Sequence, residues 1–299
     1  MTKEFVWLNG KVVPAEKALV PIFDRGLNYG DGVFETIKAV DGRPLFMKEH
    51  LKRLVQGARA IRMDIRLLEP FIDSVDSGAL ESLLKKNRLD RGEAYIKLLV
   101  TRGSDTGGHL PQKGISPTAL IVTKKTDSAR LSVLREKGVG AITVEGIAPA
   151  VPGVKSLNYL ASVLAKMSAG KAGAFEALFT AGGLIMEGSS TNIFVVKKGR
   201  VTTPPLARLN PAGALPGIIR GEIKKLAPKN SIPFLEAPLT IAALEGADEA
   251  FLTNSITGVL PLIKVNRLKI GSGKPGPLTR LFQKLLASCE AGLHGDSAP

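Results

Sequence analysis

The chain has 299 residues, 44% of them hydrophobic, and a formal charge of +14. That length and content support one large or two medium domains with ample core. No apolar run reaches the length of a bilayer crossing, and Met1-Thr2-Lys3-Glu4-Phe5 lacks a signal-peptide pattern. A single cysteine, Cys289, leaves no internal disulfide, so a cytoplasmic protein is expected. His50, His109, His294 and Cys289 show no metal-ligand spacing, and no metal is expected. A basic excess suits nucleic acid, a membrane surface or anionic small molecules. Here the basic residues are scattered, aromatics are 5%, and no nucleic-acid motif occurs. A basic nucleic-acid-binding protein is therefore kept only as the rival reading from another class; no nucleic-acid or membrane partner is expected.

Phe5 to Pro14 reads as a hairpin turning at Asn9-Gly10. After a loop from Pro21 to Arg25, a glycine-rich stretch leads into a strand from Val33 to Val40. Asp41-Gly42 turns it into a second strand over Arg43–Met47. Leu51, Leu54, Val55, Ala58 and Ile61 make one apolar face of a helix over Lys48–Met63, with Arg53 at its flank. A further helix is predicted over about Glu69–Asn87, and strands over Glu93–Thr101 and Thr118–Lys124. Between those strands, Arg102 to Gly114 is too glycine-rich for regular structure, and a loop of that length is more often functional than filler.

The polar stretch 125–136 reads as an inter-domain linker, which gives an N-terminal domain 1–124 and a C-terminal domain 137–299. The second half begins with a strand over Gly140–Glu145. Short strands are predicted at Ala177–Thr180, Leu184–Glu187, Asn192–Lys197, Val201–Thr203 and Glu249–Asn254. Helices are predicted from Leu215 to about Leu226, at Thr240–Leu244 and at Pro277–Cys289. Hairpins mixed with helices argue an α+β protein in two domains rather than a doubly wound sheet.

The chain is organised around Val154–Lys166. It follows the turn pair Pro152-Gly153. Leu157, Leu160, Ala161 and Leu164 recur at helical spacing, so a buried helix is predicted to begin here. Lys155 would then stand at a helix mouth, beside unpaired N–H groups and the positive end of the dipole. Burial there would favour a neutral, nucleophilic amine. On position alone, a solvated lysine at a helix start is the plainer reading.

Lys155-Ser156-Leu157-Asn158-Tyr159-Leu160, followed about thirty residues later by Glu187-Gly188-Ser189-Ser190-Thr191-Asn192-Ile193-Phe194, resembles the class IV (fold type IV) pyridoxal-phosphate enzymes. That family includes branched-chain aminotransferases, D-amino acid aminotransferases and 4-amino-4-deoxychorismate lyases. The resemblance runs from Trp7-Leu8-Asn9-Gly10 to about Leu286. It implies two domains holding pyridoxal 5′-phosphate between them, with Lys155 forming a Schiff base and shuttling the substrate proton. It assigns Glu187 to the pyridine nitrogen. Arg53, the backbone of Ile218 and Ile219, and Ser255 are assigned to the phosphate, with Thr257 close enough to replace Ser255. Tyr159 matches, one residue out of place, a tyrosine that meets the phenolic oxygen; core packing is the alternative for it.

Tyr29 and Phe34, in Asn28-Tyr29-Gly30-Asp31-Gly32-Val33-Phe34-Glu35, match substrate-pocket positions of the branched-chain enzymes. His109 matches a histidine that the D-amino acid enzymes use on the substrate carboxylate. Their arginine is replaced here by glycine at about Gly107, and Arg102 could reach inward instead. The resemblance implies a homodimer that moves an amino group between an amino acid, a branched-chain L-amino acid by preference, and a 2-oxo acid. The alternatives are a D-amino acid aminotransferase and the lyase.

Overall fold

In a computed structural model, the described residues are 4–207 and 213–295. They divide into two compact units. Of the described residues, the first comprises 4–126 with 154–158, and the second 127–153 with 159–207 and 213–295.

The first unit opens with the predicted hairpin, β1 (Phe5–Leu8) and β2 (Lys11–Pro14). Asn9 and Gly10 both take positive φ, 46° and 89°, as a tight right-twisted hairpin turn requires. Next come a five-residue helix α1 (Arg25–Tyr29), β3 (Gly32–Val40), the two-residue β4 (Arg43–Pro44) and helix α2 (Met47–Ala60). The single helix expected over 69–87 is two, α3 (Glu69–Asp76) and α4 (Ala79–Lys86). The break falls at Ser77-Gly78, where Gly78 has φ 90°. Strands β5 (Glu93–Thr101) and β6 (Thr118–Lys125) complete a sheet ordered β2-β1-β6-β5-β3-β4.

Side chains alternate across β3. Val33, Ile37 and Ala39 pack with Leu54 and Ala58 of α2 in the first core. Glu35 shares that face, so its carboxylate is carried into the core with them. Phe34 falls on the opposite face.

The second unit starts with α5 (Ser128–Lys137) and β7 (Val139–Glu145). Then follow α6 (Leu160–Lys171), β8 (Glu176–Ala181), β9 (Leu184–Gly188), β10 (Asn192–Lys197) and β11 (Arg200–Thr203). After these come α7 (Ile218–Lys229), β12 (Phe234–Glu236), β13 (Leu239–Thr240) and α8 (Ile241–Glu245). The unit ends with β14 (Glu249–Asn254), β15 (Gly258–Val265), β16 (Leu268–Lys269) and α9 (Pro277–Gly295). Its ten-stranded sheet runs β12-β11-β10-β14-β15-β7-β8-β9-β13, with β16 on β15.

Residues 125–136, expected as a linker, are largely α5. Asp127 caps that helix by accepting from Arg130 N at 3.0 Å. Arg135 ties it to the second unit through the carbonyls of Thr257 (2.9 Å) and Ile256 (3.1 Å). None of its side chains is fully buried, which is why its sequence looks like a linker.

The helix expected from Val154 begins only at Leu160. Residues 154–158 are an extended strap that bonds the free edge of β3. Phe34 N donates to Lys155 O and Leu157 N to Gly32 O, both at 3.0 Å. Gly32 permits this close approach, since a Cβ there would lie 2.5 Å from Val100 O and 2.7 Å from Leu157 Cδ1. Nor is the apolar face of α6 the buried one. Ser162, Ala165 and Ala169 face the sheet, whereas Leu160 (68%), Val163, Leu164 and Met167 are exposed. Small residues let the helix lie close to Ala177, Phe179 and Met186.

Candidate active site

Lys155 is not at a helix mouth. Its backbone is fixed to β3, and its Nζ lies 4.4 Å from the centroid of the Phe34 ring. The Phe34 ring, rather than a helix start, is thus one neighbour of this amine. A second amine, Lys97 Nζ on β5, lies 4.8 Å from the same centroid. Burial, with a smaller contribution from Lys124, lowers the Lys97 pKa. Sequence reasoning passed over Lys97. The signal was a charged residue in the middle of the apolar strand Tyr95–Val100.

Arg53, at the flank of the apolar face of α2, is buried with Glu35 and His50. Glu35 accepts from Arg53 Nε at 2.7 Å and Nη2 at 2.6 Å, a bidentate grip on one edge of the guanidinium. His50 Nδ1 lies 2.7 Å from Glu35 Oε2. Burial pushes the Glu35 carboxyl up. The charge and hydrogen bonds of Arg53, with the hydrogen bond from His50, outweigh that and hold it at about 2. Burial depresses the His50 pKa against the opposing pull of Glu35. The fixed guanidinium suits an anion contact that needs a defined direction.

Tyr29 and His109 meet edge to face, with ring centroids 5.7 Å apart. Phe34 makes its contacts with the two lysines instead. Arg102 does not reach inward. It forks onto Asp31 at 2.7 and 2.9 Å and donates to the carbonyls of Ile61 and Arg62.

In the second unit, Glu187 is half-buried near the end of β9. Its Oε2 accepts from Leu215 N at 2.9 Å and from Asn192 Nδ2 at 3.4 Å. Asn192 also donates to Leu215 O at 2.9 Å. Gly217, the N-cap of α7, packs so tightly on Asn192 that a Cβ would sit 2.0 Å from its Oδ1. Thus the structure brings Glu187 to the start of the helix that opens with Ile218 and Ile219. Among the described residues that helix takes no side-chain cap, and N–H groups at a helix start suit an anion.

Tyr159 is the N-cap of α6, and its hydroxyl donates to Ser189 O at 3.3 Å in the turn after Glu187. The helical spacing expected between Lys155 and Tyr159 does not exist, because the strap is extended. The turn itself rests on buried Glu176, whose carboxylate takes the hydroxyls of Ser189, Ser190 and Thr191. Ser255 lies in the turn after β14. Thr257 is committed to that turn, donating its hydroxyl to Asn254 Oδ1 at 3.0 Å.

Residues 32–265 match the amino-transferase class IV family model. The chain is 41% identical over 285 residues to a Methanocaldococcus jannaschii protein provisionally named branched-chain-amino-acid aminotransferase, covering 93% of this chain and 94% of that one. It is 35% identical over 286 residues to a D-alanine aminotransferase of Staphylococcus haemolyticus, covering 95% and 96%. Among solved structures it is similar to the branched-chain amino acid aminotransferase of T.th. with pyridoxamine 5′-phosphate. There the TM-score is 0.84 at 29% identity, over 98% of this chain and 95% of that one. The chain belongs to the class IV aminotransferases, and its α+β architecture is that of fold type IV.

Proposed function

We propose that the protein moves an amino group between a branched-chain L-amino acid and a 2-oxo acid, with pyridoxal 5′-phosphate as cofactor, as a cytoplasmic homodimer. The observation that carries this reading is the Lys155 amine held by its own backbone against the Phe34 ring. Each unit, taken by itself, offers groups of the kind the cofactor needs. The first unit offers that amine and the oriented Arg53. The second offers the Glu187 carboxylate beside an uncapped helix start. It also holds a buried Thr253 hydroxyl with no hydrogen-bond partner among the described residues, on the strand position paired with Asn192.

When bound, the cofactor supplies an electron sink and a carbon that carries the amino group. In this reading Lys155 takes the proton from the substrate α-carbon and later returns one. Glu187 keeps a ring nitrogen protonated. The Ile218 and Ile219 amides, Arg53 and Ser255 hold the phosphate, and Tyr159 meets the phenolic oxygen. Phe34, Tyr29 and His109 line the substrate. Phe34 offers no hydroxyl to a carboxylate, which favours an apolar side chain, and the M. jannaschii relative agrees. The Tyr29–His109 pair and the staphylococcal relative favour a second reading, transfer from a D-amino acid.

The exposed apolar residues support self-association. They are Leu19, Ile22, Phe23 and Leu27 in the first unit, and Leu160, Val163, Leu164 and Met167 on α6. A chain with one cysteine suits a reducing compartment. Borohydride treatment of the purified holoprotein tests the core of the reading. It should bleach a visible absorbance and leave the cofactor attached to the peptide that contains Lys155. Attachment elsewhere would overturn it.

A further inference from the structure

The geometry points to Arg25 as a positioning residue for substrate binding: it latches the loop that carries His109 and sets the Tyr29–His109 pair. This inference rests on the reading of that pair as part of the substrate pocket.

Arg25 opens α1, yet it is only 3% exposed. All three guanidinium nitrogens are used. Nε donates to Asp31 Oδ2 at 2.9 Å, and Nη1 to Asp105 Oδ2 at 3.3 Å and to Gly108 O at 2.9 Å. Nη2 donates to His109 O, also at 2.9 Å. The cation sits 4.8 Å from the centroid of the Tyr29 ring, one helical turn further on. One planar group therefore holds the backbone of His109 at its edge and the ring of Tyr29 at its face. The Tyr29–His109 contact follows from those two constraints.

The start of the loop is also tied by main chain, with Arg25 N donating to Gly103 O at 2.9 Å and Asp105 N to Phe23 O at 3.1 Å. Asp105 organises it locally, accepting from Gly107 N at 2.7 Å and Gln112 N at 3.1 Å, and Asp105 is in turn bound by Arg25. His109 and Leu110 are exposed, so the loop tip is not packed into either core. A fork of fixed geometry is needed here: a lysine could supply the charge but not the carbonyl contacts at both Gly108 and His109 together with Asp31. Residues that support a substrate contact from behind act by limiting its freedom, and their loss shows as weaker binding rather than failed chemistry.

The test uses the holoprotein and four variants, Arg25→Gln, Arg25→Lys, Asp105→Asn and His109→Ala. Amide hydrogen exchange is read over 105–110 and over β3 and β5. Steady-state kinetics use L-leucine and 2-oxoglutarate. Arg25→Gln should speed exchange over 105–110 about tenfold or more, leave β3 and β5 unchanged, and raise the KM for L-leucine about tenfold with kcat within about threefold. Arg25→Lys should recover only part of the loss. If Arg25→Gln fails to fold, Asp105→Asn should show the same pattern more weakly.

Unchanged loop exchange in a folded Arg25→Gln would overturn the inference. So would a loosened loop with unmoved KM, provided that His109→Ala raises KM. If His109→Ala leaves KM unmoved for L-leucine and for D-alanine, the pocket reading fails, and loop exchange alone then decides whether Arg25 is the latch.

Discussion

The backbone N–H of Phe34 donates to the carbonyl of Lys155 at 3.0 Å, while the Lys155 amine lies 4.4 Å from the centre of the Phe34 ring. One residue of β3 thus bonds the main chain of the lysine and lies beside its side chain. The arrangement accounts for a placed amine without a helix dipole.

Lys155→Ala should therefore leave the fold intact, since the strap hydrogen bonds are made by backbone. Turnover should fall about a thousandfold or more from the lost proton transfer alone. Circular dichroism and steady-state rates check this. Near-normal turnover would remove Lys155 from the chemistry.

Glu187→Gln keeps the shape of the side chain and removes its charge. The amide oxygen can still accept from Leu215 N, so the start of α7 should stay in place. The first half-reaction should slow by orders of magnitude because the ring nitrogen loses its anionic partner. Rapid-mixing absorbance measures it. An unchanged single-turnover rate would return Glu187 to a purely structural role.

The buried Glu35–Arg53–His50 cluster gives a pH dependence of stability. The Glu35 carboxyl sits at about 2, against an ordinary 4.5. Its contribution is complete above 4.5 and is lost as pH falls toward 2; the difference corresponds to on the order of 3 kcal/mol. His50 is also depressed, from 6.5, so it favours the fold above 6.5 and ceases to do so as pH falls through its lower folded value. Melting temperature should hold steady down to about pH 6.5, decline below it, and decline more steeply below 4.5. Glu35→Gln should flatten the steeper part and cost about 3–5 kcal/mol at neutral pH, because Arg53 is left buried without its counter-charge. A wild-type melting curve flat from pH 7 to pH 4 would contradict the assignment.

The homodimer is tested by sedimentation equilibrium, which should return the mass of two chains. A single-chain mass at micromolar concentration would refute it. It would also require another explanation for the exposed Leu160, Leu164 and Met167.

Local signals carried most of the fold. The Asn9-Gly10 hairpin, the long apolar strands β3, β5 and β6, and helices α2, α7 and α9 were legible because turn chemistry and periodicity are properties of neighbouring residues. Strand β15 was not read, because Pro261 stands in its middle and proline ordinarily marks a sheet edge. In the sheet Pro261 lies opposite Phe251 of β14, and the ladder to β7 shifts register between Leu262 and Lys264. Helix α5 was missed because it buries no side chain fully. The start of α6 was misplaced because pairing of the strap with β3 outweighs the apolar spacing of Leu157, Leu160 and Leu164.

For the site, Lys155 and Glu187 were visible through their motifs. The partners that orient the site were not. Glu35 grips Arg53 across eighteen positions of sequence, and Arg25 holds His109 across eighty-four. Such pairings depend on which face of a strand or which loop carbonyl comes to hand, and no local pattern records them.

The claim that most needs testing is the substrate. Phe34 stands without a hydroxyl between two lysine amines, and Gly107 has no side chain to offer a carboxylate. Losing a charged hydrogen-bond partner costs about 1.5–3 kcal/mol, enough to shift preference at least about tenfold. The direct measurement is single-turnover conversion of the bound cofactor by L-leucine and by D-alanine, with aminodeoxychorismate as a third substrate. The account predicts that L-leucine reacts faster. Faster conversion by D-alanine would contradict it, as would release of pyruvate and 4-aminobenzoate with little amino transfer from either amino acid.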